Sequence, residues 1–171
     1  MKSFKEFLNE SSLSRIKSKS DKGGIATMSA SRADKSAIEN RARAKQLDKD
    51  IKGKGLPGAT KVTGSYVEKG DDGKEKKVKE RSHVVSSGKK GKRAFKKAVK
   101  SLGKKYGQDS VLTQTKKTGT LSATRKGGLG KKPKNKRPLG STKTVGLGKF
   151  KPQGKNPEGQ SQIKGKTFTY G

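Results

Sequence analysis

Cysteine is absent from this 171-residue chain, which removes disulfides, thiolate nucleophiles and Cys-based zinc sites together. Histidine occurs once, as His83, and one histidine without cysteine does not make an ordinary zinc site. Its position inside a β-prone run favours a hydrogen-bonded structural role over a general base. Tryptophan is missing and only 25% of the residues are hydrophobic, so the packed core is smaller than the length allows. No apolar run approaches the length of a bilayer span, and the opening stretch has no apolar core of a secretory signal. A soluble protein with no membrane partner is therefore expected. Acidic residues are also scarce: 14 Asp and Glu face 45 Lys and Arg, for a net charge of +31. Such a chain repels itself when compact, and a polyanion relieves the repulsion. The phosphate backbone of DNA, bound without sequence preference through counterion release, is the first candidate partner.

What the chain does have begins at its first ten residues. Ser3 and Glu6 stand at capping-box spacing, and Phe4, Phe7 and Leu8 form a short apolar stripe at i, i+3 and i+4. A helix this short needs a partner surface to persist, which is how a docking peptide behaves. Lys2, Lys5, Glu6 and Glu10 cancel, so residues 11 to 171 carry the entire net charge. An N-terminal helix packed on its own domain is the plainer alternative. The pattern Met-Lys-Ser, Phe4, Glu6-Phe7 and Leu8-Asn9-Glu10 resembles the capsid-targeting peptide of internal head proteins of T-even-like bacteriophages. The resemblance implies docking to a prohead scaffold and cutting by the prohead protease after Glu10 of the Leu8-Asn9-Glu10 site, leaving Ser11 as the new N-terminus.

Along the rest of the chain, residues 11–24 are rich in Ser and Lys without periodicity and read as a flexible linker. Residues 25–125 carry the pattern of an α+β domain. A short strand is expected over 24–30, and a helix over 36–52 opened by a Ser36/Glu39 capping box, with Ile38, Ala42, Leu47 and Ile51 on its apolar face. Two β-prone runs, 59–67 and 78–86, are joined by a Gly/Asp-rich turn and pair as a hairpin. Residues 89–106 give the strongest amphipathic signal, with Phe95, Ala98, Val99, Leu102 and Tyr106 on one face and Gly107 as C-cap. Strands over 110–115 and 120–124 follow. The order strand, helix, strand, strand, helix, strand is that of a ferredoxin-like split βαβ domain, with an antiparallel sheet and two helices on one face.

Part of this domain, from about residue 30 to 114, resembles a family of short bacterial and phage domains of unknown function. The residues that carry the likeness are Ile38-Glu39-Asn40-Arg41-Ala42-Arg43, Ser65-Tyr66-Val67-Glu68, Ser82-His83-Val84-Val85 and Leu102-Gly103-Lys104-Lys105-Tyr106-Gly107-Gln108. That likeness implies a folded domain and transfers no activity.

Residues 126–171 are Gly/Lys-rich with Glu158 as the sole acid, so they bury too little apolar surface to fold independently. They read as a basic tail, although the alternation of Thr167-Phe168-Thr169-Tyr170 suits a strand clipped to a sheet edge. Phosphate contacts are expected from the basic helix, through Lys89, Lys90, Lys92, Arg93, Lys96, Lys97, Lys100, Lys104 and Lys105, and from Lys131, Lys132, Lys134, Lys136 and Arg137 in the tail. The pieces Gly127-Gly128-Leu129-Gly130 and Gly146-Leu147-Gly148 lack the strand-to-helix setting of a phosphate loop, so no cofactor is expected. Glu39 suits a cap better than a metal, and Arg41 and Arg43 suit an exposed helix face. The reading is a non-enzymatic internal virion protein packaged with genome DNA inside the capsid. After ejection into the host cytoplasm, a host defence protein is a further partner. The alternatives are a basic nucleic-acid-binding protein with no virion role, or a small nuclease using Glu39 or His83.

Overall fold

The computed structural model of the chain describes residues 13–69, 74–116, 119–125, 142–145, 159–163 and 166–170. Its four central strands are β1 (Ile25–Ser29), β2 (Thr60–Lys69), β3 (Glu75–Ser86) and β4 (Ser110–Gln114). They lie side by side in the order β4-β1-β3-β2 with every pairing antiparallel. This is the split βαβ arrangement expected from the element order. The β2–β3 hairpin runs in continuous register from Thr60 opposite Val84 to Lys69 opposite Glu75, so the strands continue into part of the segment expected as turn.

Helix α2 (Ala37–Gly53) starts as its sequence dictates. The Ser36 hydroxyl accepts from the Glu39 amide at 3.2 Å, and the Glu39 carboxylate accepts from the Ser36 amide at 2.8 Å. Its apolar face is shorter than the spacing suggested. Leu47 and Ile51 are buried, whereas Ile38 is 79% exposed and Ala42 is also exposed. Only the C-terminal half of α2 lies on the sheet; polar contacts anchor the other half. Helix α3 (Lys92–Lys105) follows its period closely, burying Phe95, Val99 and Leu102. With Ala26, Met28, Leu47, Ile51, Val85, Tyr106 and Val111 these side chains form the main core on one face of the sheet.

The opposite face is where the expectation of a flexible linker over residues 11–24 fails. Leu13–Lys22 is a helix, α1, packed against β1 and β3. Ile16 joins Ile25, Val62 and Val84 in a second, smaller core, and Ser20 is buried on the same helical side. A Ser/Lys-rich segment has little intrinsic periodicity, and a helix this short draws its stability from tertiary packing, here of Ile16 on the apolar sheet face.

Strand β5 (Gly119–Ala123), close to the strand expected over 120–124, pairs with β4. The basic tail contributes three more strands. β6 (Thr142–Val145) pairs with β5, β7 (Gly159–Ile163) with β2, and β8 (Lys166–Tyr170) with β7, extending the sheet to eight strands. The clip expected at Thr167–Tyr170 is therefore present, through β7, while β6 and β7 were not anticipated. Their sequences, TKTV and GQSQI, are short and polar. They gain their hydrogen bonds from sheet edges distant in sequence, so no local pattern announces them.

Candidate functional site

The motif residues meet where α2 and α3 converge beyond the end of β1. The Asn40 side chain accepts from the Arg32 amide at 2.9 Å and donates to the carbonyls of Arg32 and Lys35 at 3.0 and 3.1 Å. Arg43 donates to the carbonyl of Ala30 at 2.7 Å and to that of Tyr106 at 2.8 Å, and its guanidinium lies 5.6 Å from the Tyr106 ring centre. Arg32 donates to the Gly107 carbonyl at 2.7 Å. Two guanidinium groups thus sit on the carbonyl end of α3, where a helix carries partial negative charge. Arg43 was expected on an exposed helix face; it is half-buried and ties β1, α2 and α3 together.

The Leu-Gly-x-x-Tyr-Gly-Gln stretch is the C-terminus of α3. Gly107 takes the left-handed conformation, φ +69°. Its amide donates to Lys104 while the Gln108 amide donates back to Gly103, which is the Schellman pattern. Gly103 permits close approach of α3 to the sheet, since a Cβ there runs into the side chains of Val111 and Thr124. The Tyr106 hydroxyl donates to Asp50 at 2.6 Å, and Lys105 pairs with the same carboxylate at 2.7 Å. Lys105 and the Tyr106 hydroxyl hold the Asp50 carboxyl below its ordinary range. Burial, reinforced by Asp50, pushes the Tyr106 phenol well above its ordinary value. These residues are occupied by the fold.

A different cluster lies between α2 and the β2–β3 hairpin. Lys61 stands opposite His83 in register, so both point to the helix-covered face, and Asp48 of α2 reaches down between them. Lys61 Nζ is 2.8 Å from Asp48 Oδ2, and His83 Nε2 is 3.3 Å from Oδ1. Lys61 is 66% exposed and Asp48 27%, but His83 only 1%. The histidine expected to be hydrogen-bonded is buried with neither ring nitrogen in a hydrogen bond; the Asp48 contact is within ion-pair reach but misaligned. Burial holds the imidazole below its ordinary pKa, the neighbouring Asp48 opposing and Lys61 assisting. Strand register and the packing of α2 on the sheet together assemble this trio, and no spacing in the sequence announces Asp48 or Lys61.

A family model covers residues 26–171, and its description is the S-adenosylmethionine lyase family. The chain belongs to the S-adenosylmethionine lyase family. Among curated proteins, none gives a significant match. The match begins at the second residue of β1 and spans β2 through β8, so the tail strands are part of what defines a member of the S-adenosylmethionine lyase family. The segment 30–114, whose likeness was expected to transfer no activity, lies inside it.

Membership overturns the expectation of a non-enzymatic virion protein packaged with DNA, because the family is named for an enzyme. A net charge of +31 bears on solubility and association and does not identify a fold or its chemistry. The lysines and arginine expected on phosphate, Lys89, Lys90, Lys92, Arg93, Lys96, Lys97, Lys100, Lys104 and Lys105, are exposed or half-exposed around α3 and its approach. Lys105 is taken by Asp50. Lys131, Lys132, Lys134, Lys136 and Arg137 fall outside the described residues, as do Leu8, Glu10 and Ser11 of the expected cleavage site. Glu39, the alternative nuclease residue, is held in its cap, and the Ser36 amide lowers its pKa. Among the described residues no three His, Asp or Glu side chains are grouped to hold a metal, and no helix is long and apolar enough to cross a membrane.

Proposed function

We propose that this protein cleaves S-adenosylmethionine as a lyase, with Asp48 receiving the substrate's α-ammonium group. The observation that carries the reading is the family match over residues 26–171. A lyase breaks a bond by elimination or internal displacement, without water or oxidant as co-reactant. In S-adenosylmethionine the α-carboxylate reaches the γ-carbon through a five-membered ring. The carboxylate oxygen bonds to that carbon as the carbon–sulfur bond breaks, the electron pair leaves on sulfur, and a lactone and the neutral thioether 5′-methylthioadenosine separate. No proton is transferred in that step. The protein's tasks are to fold the flexible substrate into the ring-closing shape and to keep the reacting charges out of water. Opposite charges merge in this step, and they attract more strongly in a medium less polar than water.

Asp48 suits the ammonium because it already holds one. The Lys61 ammonium sits 2.8 Å from it on a mostly exposed stem that can yield to a cationic ligand. The test is incubation of the purified chain with S-adenosylmethionine and no methyl acceptor, followed by mass spectrometry. Substrate should disappear as 5′-methylthioadenosine forms in equal amount, and unchanged substrate would remove the reading. Asp48→Asn should raise KM about ten-fold, the scale of one charge-assisted hydrogen bond. Turnover with an unaltered KM would remove only the Asp48 assignment.

A further inference from the structure

The His83 environment has the parts of a switch. An imidazole near the C-terminal end of β3 is enclosed and unbonded at both nitrogens, yet one nitrogen lies 3.3 Å from a carboxylate oxygen. The other oxygen of that carboxylate is engaged by an exposed ammonium 2.8 Å away. From α2 the charged group facing His83 is Asp48, and from β2 it is Lys61. The cross-strand neighbour on β1 is Met28, and the core-facing residues of α3 are Phe95, Val99 and Leu102, none of them charged. One carboxylate is therefore within reach of two cationic partners, one permanent and one that exists only when a proton is bound.

We propose that His83, Asp48 and Lys61 form a proton-operated latch between α2 and the β2–β3 hairpin, in which protonation of His83 transfers Asp48 from Lys61 to the imidazolium. When the ring is neutral, Asp48 binds Lys61 and ties α2 to the start of β2. A proton arriving on Nε2 gives Asp48 a buried donor, and the ammonium of Lys61, now beside a second cation, swings out to water. An enclosed imidazolium has no water to turn to and is left uncompensated without the carboxylate, whereas the exposed Lys61 ammonium is solvated when released, so Asp48 stays with the ring. Release of Lys61 frees the start of β2, at Thr60 to Val62, from its tether to α2. The inference concerns the free protein and stands independently of the Asp48 substrate assignment.

His83 is the chain's one histidine, so its ring gives a single set of histidine resonances. The experiment is an NMR pH titration of that ring in the full-length protein, without substrate, alongside amide hydrogen exchange across β2. The ring should titrate below 6.5, its ordinary value. The exposed substitution Lys61→Met should raise the midpoint, and Asp48→Asn should lower it. Exchange at Thr60–Val62 should accelerate several-fold with the same midpoint as the ring and should be pH-insensitive beyond the intrinsic rate in Lys61→Met. A ring that titrates at 6.5 and ignores both substitutions would overturn the latch. So would a ring that titrates as expected while exchange at Thr60–Val62 stays unchanged. Near-ultraviolet circular dichroism of each variant at pH 7.5 separates altered coupling from unfolding, and Lys61→Arg, which keeps the ammonium's charge, should restore the parent midpoint.

Discussion

Tyr106 shows how much one side chain does here. Its ring completes the main core, its hydroxyl donates to Asp50 on α2, its carbonyl accepts from Arg43, and its peptide ends α3. Tyr106→Phe keeps the ring and removes one hydrogen bond to a charged acceptor, so it should lower unfolding free energy by about 1.5 to 3 kcal/mol in a urea melt. The phenol also sets an alkaline limit. Its native pKa is raised, so the unfolded chain loses the proton first as pH climbs past 10, and stability present below that value falls above it. Tyr106→Phe should show a weaker loss over the same range, read as the urea midpoint against pH. Gly103 is the complementary case, a residue valued for what it lacks. Gly103→Ala pushes a methyl into Val111 and Thr124, and should cost about 1 to 3 kcal/mol by the same melt.

Among the elements, α2 divides into a half held by packing and a half held by polar bonds. Leu47 and Ile51 serve the first, while the Ser36 cap, Asn40 and Arg43 serve the second. With Ile38 in solvent, the N-terminal half has little apolar burial to fall back on. Ser36→Ala should therefore destabilise by about 1 kcal/mol, the usual value of such a cap. Backbone hydrogen exchange should accelerate in the first turn of α2 and not at Leu47. The capping box was legible because its two members lie three residues apart in sequence. Burial along the helix was not, since the sheet reaches only part of it. Helix α1 illustrates the reverse. Its composition suits a linker, and only the apolar patch formed by Ile25, Val62 and Val84 gives Ile16 somewhere to go.

For the molecule as a whole, the charge of +31 has a kinetic consequence under the proposed lyase activity, whose substrate is a sulfonium cation. S-Adenosylmethionine carries an ammonium and a sulfonium against one carboxylate, so the protein's field opposes its approach. Screening weakens that opposition, because the Debye length falls from about 10 Å at 0.1 M salt to about 3 Å at 1 M. The lyase kcat/KM should therefore rise with ionic strength, mostly through KM, in initial-rate assays across a salt series. A fall with salt would mean that a local anionic site dominates the field.

The sequence by itself determined the alternation of elements, the split βαβ order of the central strands, the start of α2 and the period of α3. Each depends on residues close together along the chain, and short-range sterics, caps and periodicity express themselves there. It also determined the charge, which pointed to a polyanion and away from the enzyme family to which the chain belongs. Tertiary structure alone decided the rest. It made a helix of residues 13–22, drew β6 and β7 onto sheet edges, and set Lys61 opposite His83 with Asp48 between them. Each of those outcomes needs at least one partner tens of residues away, so it becomes readable only once strand register and helix packing fix which side chains share a face.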